Sequence, residues 1–119
     1  MNGIKTYEIF KGNDLEIAEK IQQRRLQILV HSCIYYELNQ SNIPDTTWDK
    51  WAKELVQLQK DYPNIAKEVV YADAFDGFDG STGFDLPLKD EWVMNKAKQL
   101  CRYSTRKVKP KTVKSAKLF

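Results

Sequence analysis

Histidine occurs once in the 119 residues, at His31, and cysteine twice, at Cys33 and Cys101. A single imidazole excludes multi-histidine metal sites and paired-imidazole catalysis. The two cysteines lack the short ligand spacing of zinc sites. Each falls in an apolar helical pattern, which suits buried thiols in a reducing compartment better than a secreted disulfide framework. Long hydrophobic runs are also missing. No stretch approaches the roughly 20 apolar residues of a membrane span, and MNGIKTYEIF has neither the basic start nor the apolar run of a signal peptide. The expected location is the cytoplasm, with no membrane partner. Acid is absent from Arg102 to Phe119, where seven basic residues fall; subtracting those seven from the net +3 leaves −4 for residues 1–101. An acidic body therefore carries a basic tail.

What remains is an ordinary globular composition, 42% hydrophobic and 29% charged, of a length that fits one domain. The pattern predicts a mostly α fold, a single small domain built on a long helical hairpin. Residues 1–12, with Ile4, Tyr7, Ile9 and Phe10, admit two readings, a short strand or an arm packed on helices. A long helix is expected from Asp14 to Asn39, capped by Asn13 or Asp14. Ala18, Ile21, Arg25, Ile28 and Tyr35 lie near one face, and Leu26, Leu29, Val30, Cys33 and Ile34 broaden it enough to require packing on two sides. Asn39-Gln40-Ser41-Asn42 and Pro44 break it. In the second helix Trp48, Trp51, Ala52, Leu55, Leu58 and Tyr62 form one apolar stripe, opposite Asp49, Lys50, Lys53, Glu54, Gln57 and Lys60. Asp45 or Thr46 is its expected cap and Pro63 its stop.

A third helix is expected from Ile65 to about Ala72. The loop from Asp73 to Pro87 holds three of the five glycines, and its Phe75, Phe78 and Phe84 are too apolar for a free linker, so all three are expected to fold back. Asp90 should cap a last helix running to about Tyr103, with Trp92, Val93, Ala97, Leu100 and Cys101 inward. The domain is thus expected over 1–103, with residues 104–119 a flexible basic tail.

Tyr35, Ile43-Pro44-Asp45, Trp48-Asp49, Glu54-Leu55 and Tyr62-Pro63 together resemble the small amino-terminal domain of bacterial NAD-dependent DNA ligases. The likeness covers roughly residues 15–63 and is nearest to the short, stand-alone ligase-related proteins of bacterial viruses. It implies a site for the nicotinamide mononucleotide half of NAD at Tyr35, Tyr36, Asp45, Trp48 and Asp49, with NAD or nicotinamide mononucleotide as the bound ligand and no metal. Two positions depart from the family, which usually has His in place of Tyr36 and Tyr in place of Trp48. The ligases also carry a lysine nucleophile in a K-x-D-G motif. Here Asp76-Gly77 and Asp79-Gly80 follow Phe75 and Phe78, with no lysine two residues before either aspartate. The resemblance therefore implies a non-catalytic binding module without the nucleotidyltransferase core.

Other motifs carry less. His31, alone at mid-helix, reads as structural. Counting from Asp79, a calcium loop would need Gly and Glu where Phe84 and Asp90 stand. Asp73, Asp76, Asp79 and Asp85 read as turn caps. Gly80-Ser81-Thr82-Gly83 is a short phosphate-cradle candidate without the lysine of a phosphate-binding loop. A second function class is a small viral inhibitor of anti-defence or anti-CRISPR type. It would bind a host protein or nucleic-acid complex through the hairpin and tail, in the host cytoplasm. An enzyme acting on a nicotinamide nucleotide is least favoured, because no nucleophile–base pair stands out.

The tail residues Arg102, Arg106, Lys107, Lys109, Lys111, Lys114 and Lys117 suit contact with a phosphate backbone rather than base reading. Deleting residues 104–119 should leave the melting temperature nearly unchanged while removing any DNA or RNA binding. That binding, measured on the full chain, should weaken steeply with added salt as counterion release requires. Salt-independent binding would contradict the reading.

Overall fold

The computed structural model describes residues 12–105, and it is mostly α. Four helices follow in order: α1 (Asn13–Glu37), α2 (Asp45–Asp61), α3 (Pro63–Ala66) and α4 (Glu91–Thr105). Of the strand or arm expected over 1–12 all but Gly12 lies outside the described residues, as do the tail beyond 105 and the side chain of Arg102. Among the described residues no helix is long and apolar enough to cross a membrane.

α1 is the central element, with α2 and α3 packed on it and α4 against another side. Every residue from Arg25 to Ile34 is buried, so three turns of this helix are enclosed all round. This is the structural meaning of its broad apolar surface. Cys33 and Cys101 are both buried free thiols. Desolvation first, and then the charge of Glu37, push the Cys33 thiol up to about 11, which keeps it protonated and inert at neutral pH.

The helix ends differ from the sequence expectations in instructive ways. α1 is capped by Gly12 without any side-chain bond, not by Asn13 or Asp14. It ends at Glu37 rather than Asn39, because Asn39 takes a left-handed φ of 56°. Asn tolerates that region better than most residues. The Gln40 N–H then donates to Ile34 O at 3.0 Å. α2 is capped by Pro44, not by Asp45 or Thr46. The Pro44 carbonyl accepts from the N–H groups of Thr47 and Trp48 at 3.0 and 3.3 Å, while Asp45 becomes the first helical residue. There its charge complements the helix dipole. Pro63 does not merely stop α2; it opens α3 at the position where its missing N–H costs nothing. Asp90 caps α4 as expected, its Oδ1 accepting from Trp92 N–H at 3.0 Å and Val93 N–H at 3.4 Å. The Tyr71 hydroxyl donates to the same oxygen at 3.0 Å and holds Tyr71 at a left-handed φ of 65°.

On α2, Ala52 and Leu55 are fully enclosed, while Trp48, Trp51 and Leu58 pack on the core with part of their surface exposed. Tyr62 stays exposed. Glu54, expected on the solvated face, instead pairs with Arg24, whose Nε donates to its Oε1 at 2.8 Å. α3 is a single turn rather than a helix to Ala72. Past it the backbone tightens into i→i+3 bonds, Glu68 N–H to Ile65 O and Val69 N–H to Ala66 O, Tyr71 turns left-handed, and the buried Arg25 fastens the segment. Its guanidinium donates to Ala66 O at 3.1 Å, Val69 O at 3.0 Å and Val70 O at 3.1 Å. Val69 O and Val70 O are carbonyls that a helix ending at Ala72 would leave without an intrahelical partner. The loop then returns to the core: Phe75 is buried with the Arg25 guanidinium 5.6 Å from its ring, and Phe78 meets Phe75 edge-on at 5.1 Å. Phe84 folds back onto α1 at the surface: 65% exposed, its ring packs on Tyr36 at 5.4 Å.

Arg25→Ala should cost at least about 3 kcal/mol in urea unfolding, since three buried carbonyls lose their donor at about 1–3 kcal/mol each. A loss below about 0.5 kcal/mol, the range of surface substitutions, would show that the network is not needed for the fold.

Candidate functional site

α1 leaves the core one turn before its end. Ser32 is buried and Tyr35 and Tyr36 are exposed, Tyr35 at 58%. The polar turn reverses the chain, and α2 starts beside them. Between the two helices lies a cleft of about 270 Å³ lined by His31, Ser32, Tyr35, Tyr36, Ser41, Asn42, Ile43, Asp45, Trp48, Asp49, Ser81, Thr82 and Gly83. All five ligand residues expected from the sequence, Tyr35, Tyr36, Asp45, Trp48 and Asp49, are therefore brought together. The volume lies near the small end of ligand sites, which run from about 300 Å³ upward.

The buried members, His31, Ser32 and Gly83, form the base, and the exposed ones the rim. Trp48 is anchored there, its Nε1–H donating to Ser32 Oγ at 3.1 Å. The His31 ring lies 5.6 Å from Trp51, tilted. Tyr35 and Tyr36 meet edge to face at 4.9 Å, and Tyr36 meets Phe84 in the same way at 5.4 Å. This explains the exposed Phe84: it packs on the rim of the cleft instead of entering the core. Asp45 and Asp49, four residues apart, share one face of α2 and both reach the cleft.

Residues 81–83 are the part of the site that sequence reasoning did not assign to it. The turn is held by Asp79, whose Oδ1 accepts from the Ser81 N–H at 2.9 Å and the Ser81 hydroxyl at 2.7 Å. Those bonds hold the Asp79 carboxyl below its ordinary range. The Tyr36 hydroxyl and Thr82 Oγ1 are hydrogen-bonded at 2.9 Å. Gly83 fits because it has no side chain: a Cβ there would overlap the Ser32 hydroxyl, come within 2.8 Å of Ser32 Cβ and 3.4 Å of Trp48 Cζ2. His31 and Ser32 were legible in principle, since they sit four residues before Tyr35 and Tyr36 on the same face. Ser81, Thr82 and Gly83 had only a short glycine turn to mark them. The basic residues Arg106, Lys107, Lys109, Lys111, Lys114 and Lys117 lie outside the described residues.

Residues 14–68 match a family model described as "DNA ligase-like, N-terminal NAD+-binding domain". Among curated proteins, the chain is 42% identical over 55 residues to a DNA ligase of Coxiella burnetii, covering 43% of this chain and 8% of that protein. It is 38% identical over 48 residues to a DNA ligase of Pseudomonas aeruginosa, covering 40% of this chain and 6% of that one. It is 37% identical over 54 residues to a DNA ligase of Bacteroides fragilis, covering 45% and 8%. The chain thus spans under a tenth of the relatives it matches. No solved structure matches it.

Gly83→Ala should destabilise the protein by about 1–3 kcal/mol, as overpacking does, because Ser32 sits on the enclosed helix and cannot yield. Unchanged denaturant stability would mean that the turn is not seated against Ser32.

Proposed function

We propose that this chain is a non-catalytic module that binds a nicotinamide nucleotide in the cleft between α1 and α2. The observation that carries the reading is the convergence of Tyr35, Tyr36, Asp45, Trp48 and Asp49, from two helices, on one cleft of about 270 Å³. The match of residues 14–68 to an NAD+-binding domain supports it independently. The residue types suit the ligand. A flat cationic pyridinium gains from lying against the faces of Tyr35 and Trp48, by stacking and by attraction to the ring quadrupole. Asp45 and Asp49 offset its charge and accept hydrogen bonds from its carboxamide and ribose. The Trp48–Ser32 bond fixes one aromatic wall before the ligand arrives, which lowers the entropy lost on binding.

The chain carries no K-x-D-G lysine of the ligase core, so the reading is of a binding module and not of a complete ligase. Around the cleft, Ser32 Oγ accepts from Trp48 Nε1–H, Ser81 Oγ donates to Asp79 Oδ1, and Ser41 Oγ donates to Ile43 O at 2.9 Å.

Calorimetric titration with NAD and with nicotinamide mononucleotide should show micromolar binding. Asp49→Ala should weaken it by about 1.5–3 kcal/mol, the loss of a charge-assisted hydrogen bond, without lowering the melting temperature, since Asp49 is exposed. Dilution heats alone for both ligands would overturn the reading.

A further inference from the structure

We propose that the Tyr36–Thr82 hydroxyl pair reads the sugar of the ligand, so that the site recognises a cationic nucleoside and leaves any phosphate ungripped. This rests on the nicotinamide reading of the cleft and extends it to a segment beyond the matched residues 14–68.

The proton count of the pair carries the argument. Tyr36 and Thr82 each own one hydroxyl proton, and their bond at 2.9 Å consumes one of the two, whichever residue donates. Thr82 Oγ1 also accepts from the Phe84 N–H at 3.2 Å. One hydroxyl proton is therefore left to donate, and the Tyr36 oxygen keeps accepting capacity. Both side chains line the cleft. A neutral donor placed beside a neutral acceptor matches a sugar hydroxyl, which is itself one donor and one acceptor. A phosphate asks for something else. It calls for positive charge, and among the described residues the charged side chains lining this cleft are the carboxylates of Asp45 and Asp49, with no lysine or arginine. Those carboxylates attract a pyridinium and repel a phosphate.

The pair is also held in place. Tyr36 is wedged between the ring edges of Tyr35 and Phe84. Thr82 follows the Ser81 residue clamped by Asp79 and precedes Gly83, seated on Ser32. A ligand that meets a fixed hydroxyl pair loses less freedom in forming its bond.

The test compares three ligands by calorimetry on the full chain: 1-methylnicotinamide, which has the cationic ring without a sugar; nicotinamide riboside; and nicotinamide mononucleotide. The variants are Tyr36→Phe with Thr82→Val, and Thr82→Val alone as the milder change, each checked by thermal unfolding. The double variant should bind the riboside about fivefold to tenfold more weakly, the worth of one net hydrogen bond, and 1-methylnicotinamide within about twofold of the unchanged protein. Thr82→Val alone should give a smaller loss in the same direction. In the unchanged protein the mononucleotide should bind no more tightly than the riboside. Equal losses for ring and riboside, or no loss for either, would overturn the sugar contact while leaving the ring site standing. A mononucleotide bound more than about tenfold tighter than the riboside would show a phosphate grip and overturn the proposal too. If the unchanged protein binds none of the three, the nicotinamide reading falls, and this inference with it.

Discussion

A buried guanidinium organises this protein. Placing the charge of Arg25 in the core is costly unless its donors are met. Here they are met by Gln59 Oε1 at 2.8 Å and by the carbonyls of Ala66, Val69 and Val70. Gln59 passes the connection on, its Nε2–H donating to Phe75 O at 3.3 Å. One chain of hydrogen bonds thus joins α1, α2, the turn after α3 and the loop that follows. A lysine could not do this, because it lacks the planar fork that reaches several acceptors at once. These bonds fasten residues 66–75 to α1 and α2.

That path positions the functional end of the molecule. α1 is enclosed from Arg25 to Ile34 and emerges only at Tyr35. Arg24 ties its flank to α2 through Glu54 and lies over the Trp51 ring at 5.7 Å. With the helices held along their length, the reversing turn opens a gap where the side chains change from core to solvent. The returning loop delivers Ser81, Thr82 and Gly83 to that gap. The cleft therefore has two walls from the matched ligase-like segment and one from beyond it.

The walls divide the chemistry between them. Aromatic faces and carboxylates come from the hairpin, and neutral hydroxyls from the Tyr36–Thr82 contact. Among the described residues the charged side chains lining the cleft are Asp45 and Asp49, which biases it toward a cation. Of the aspartates in the 73–85 loop, Asp79 serves a turn instead. Asp79 clamps Ser81, and Asp90 just beyond joins Tyr71 to the start of α4.

The sequence alone determined the hairpin and the double-sided burial of α1, which follow from local regularities: the 3.6-residue period and the breakers at 39–44. The grouping of Tyr35, Tyr36, Asp45, Trp48 and Asp49 was what the ligase resemblance implied, and the fold brings all five to one cleft. The sequence also carried Asp90 as a cap, because a cap is a short-range bond. Tertiary structure decided the rest. Arg25 sat on the apolar face of the expected helix with nothing local to show that it would gather carbonyls more than 40 residues on. α3 was read as far as Ala72 because nothing in the local pattern marks the left-handed turn at Tyr71, which is tied through its hydroxyl to the distant Asp90. Phe84 was expected by its hydrophobicity to fold back, and only the fold decided that it does so on Tyr36 at the surface. Thr82 and Gly83 entered the site only through contacts with Tyr36 and Ser32, and such contacts have no periodicity to betray them. Local order is written in spacing along the chain; the third wall depends on which distant groups satisfy one another once the chain has packed.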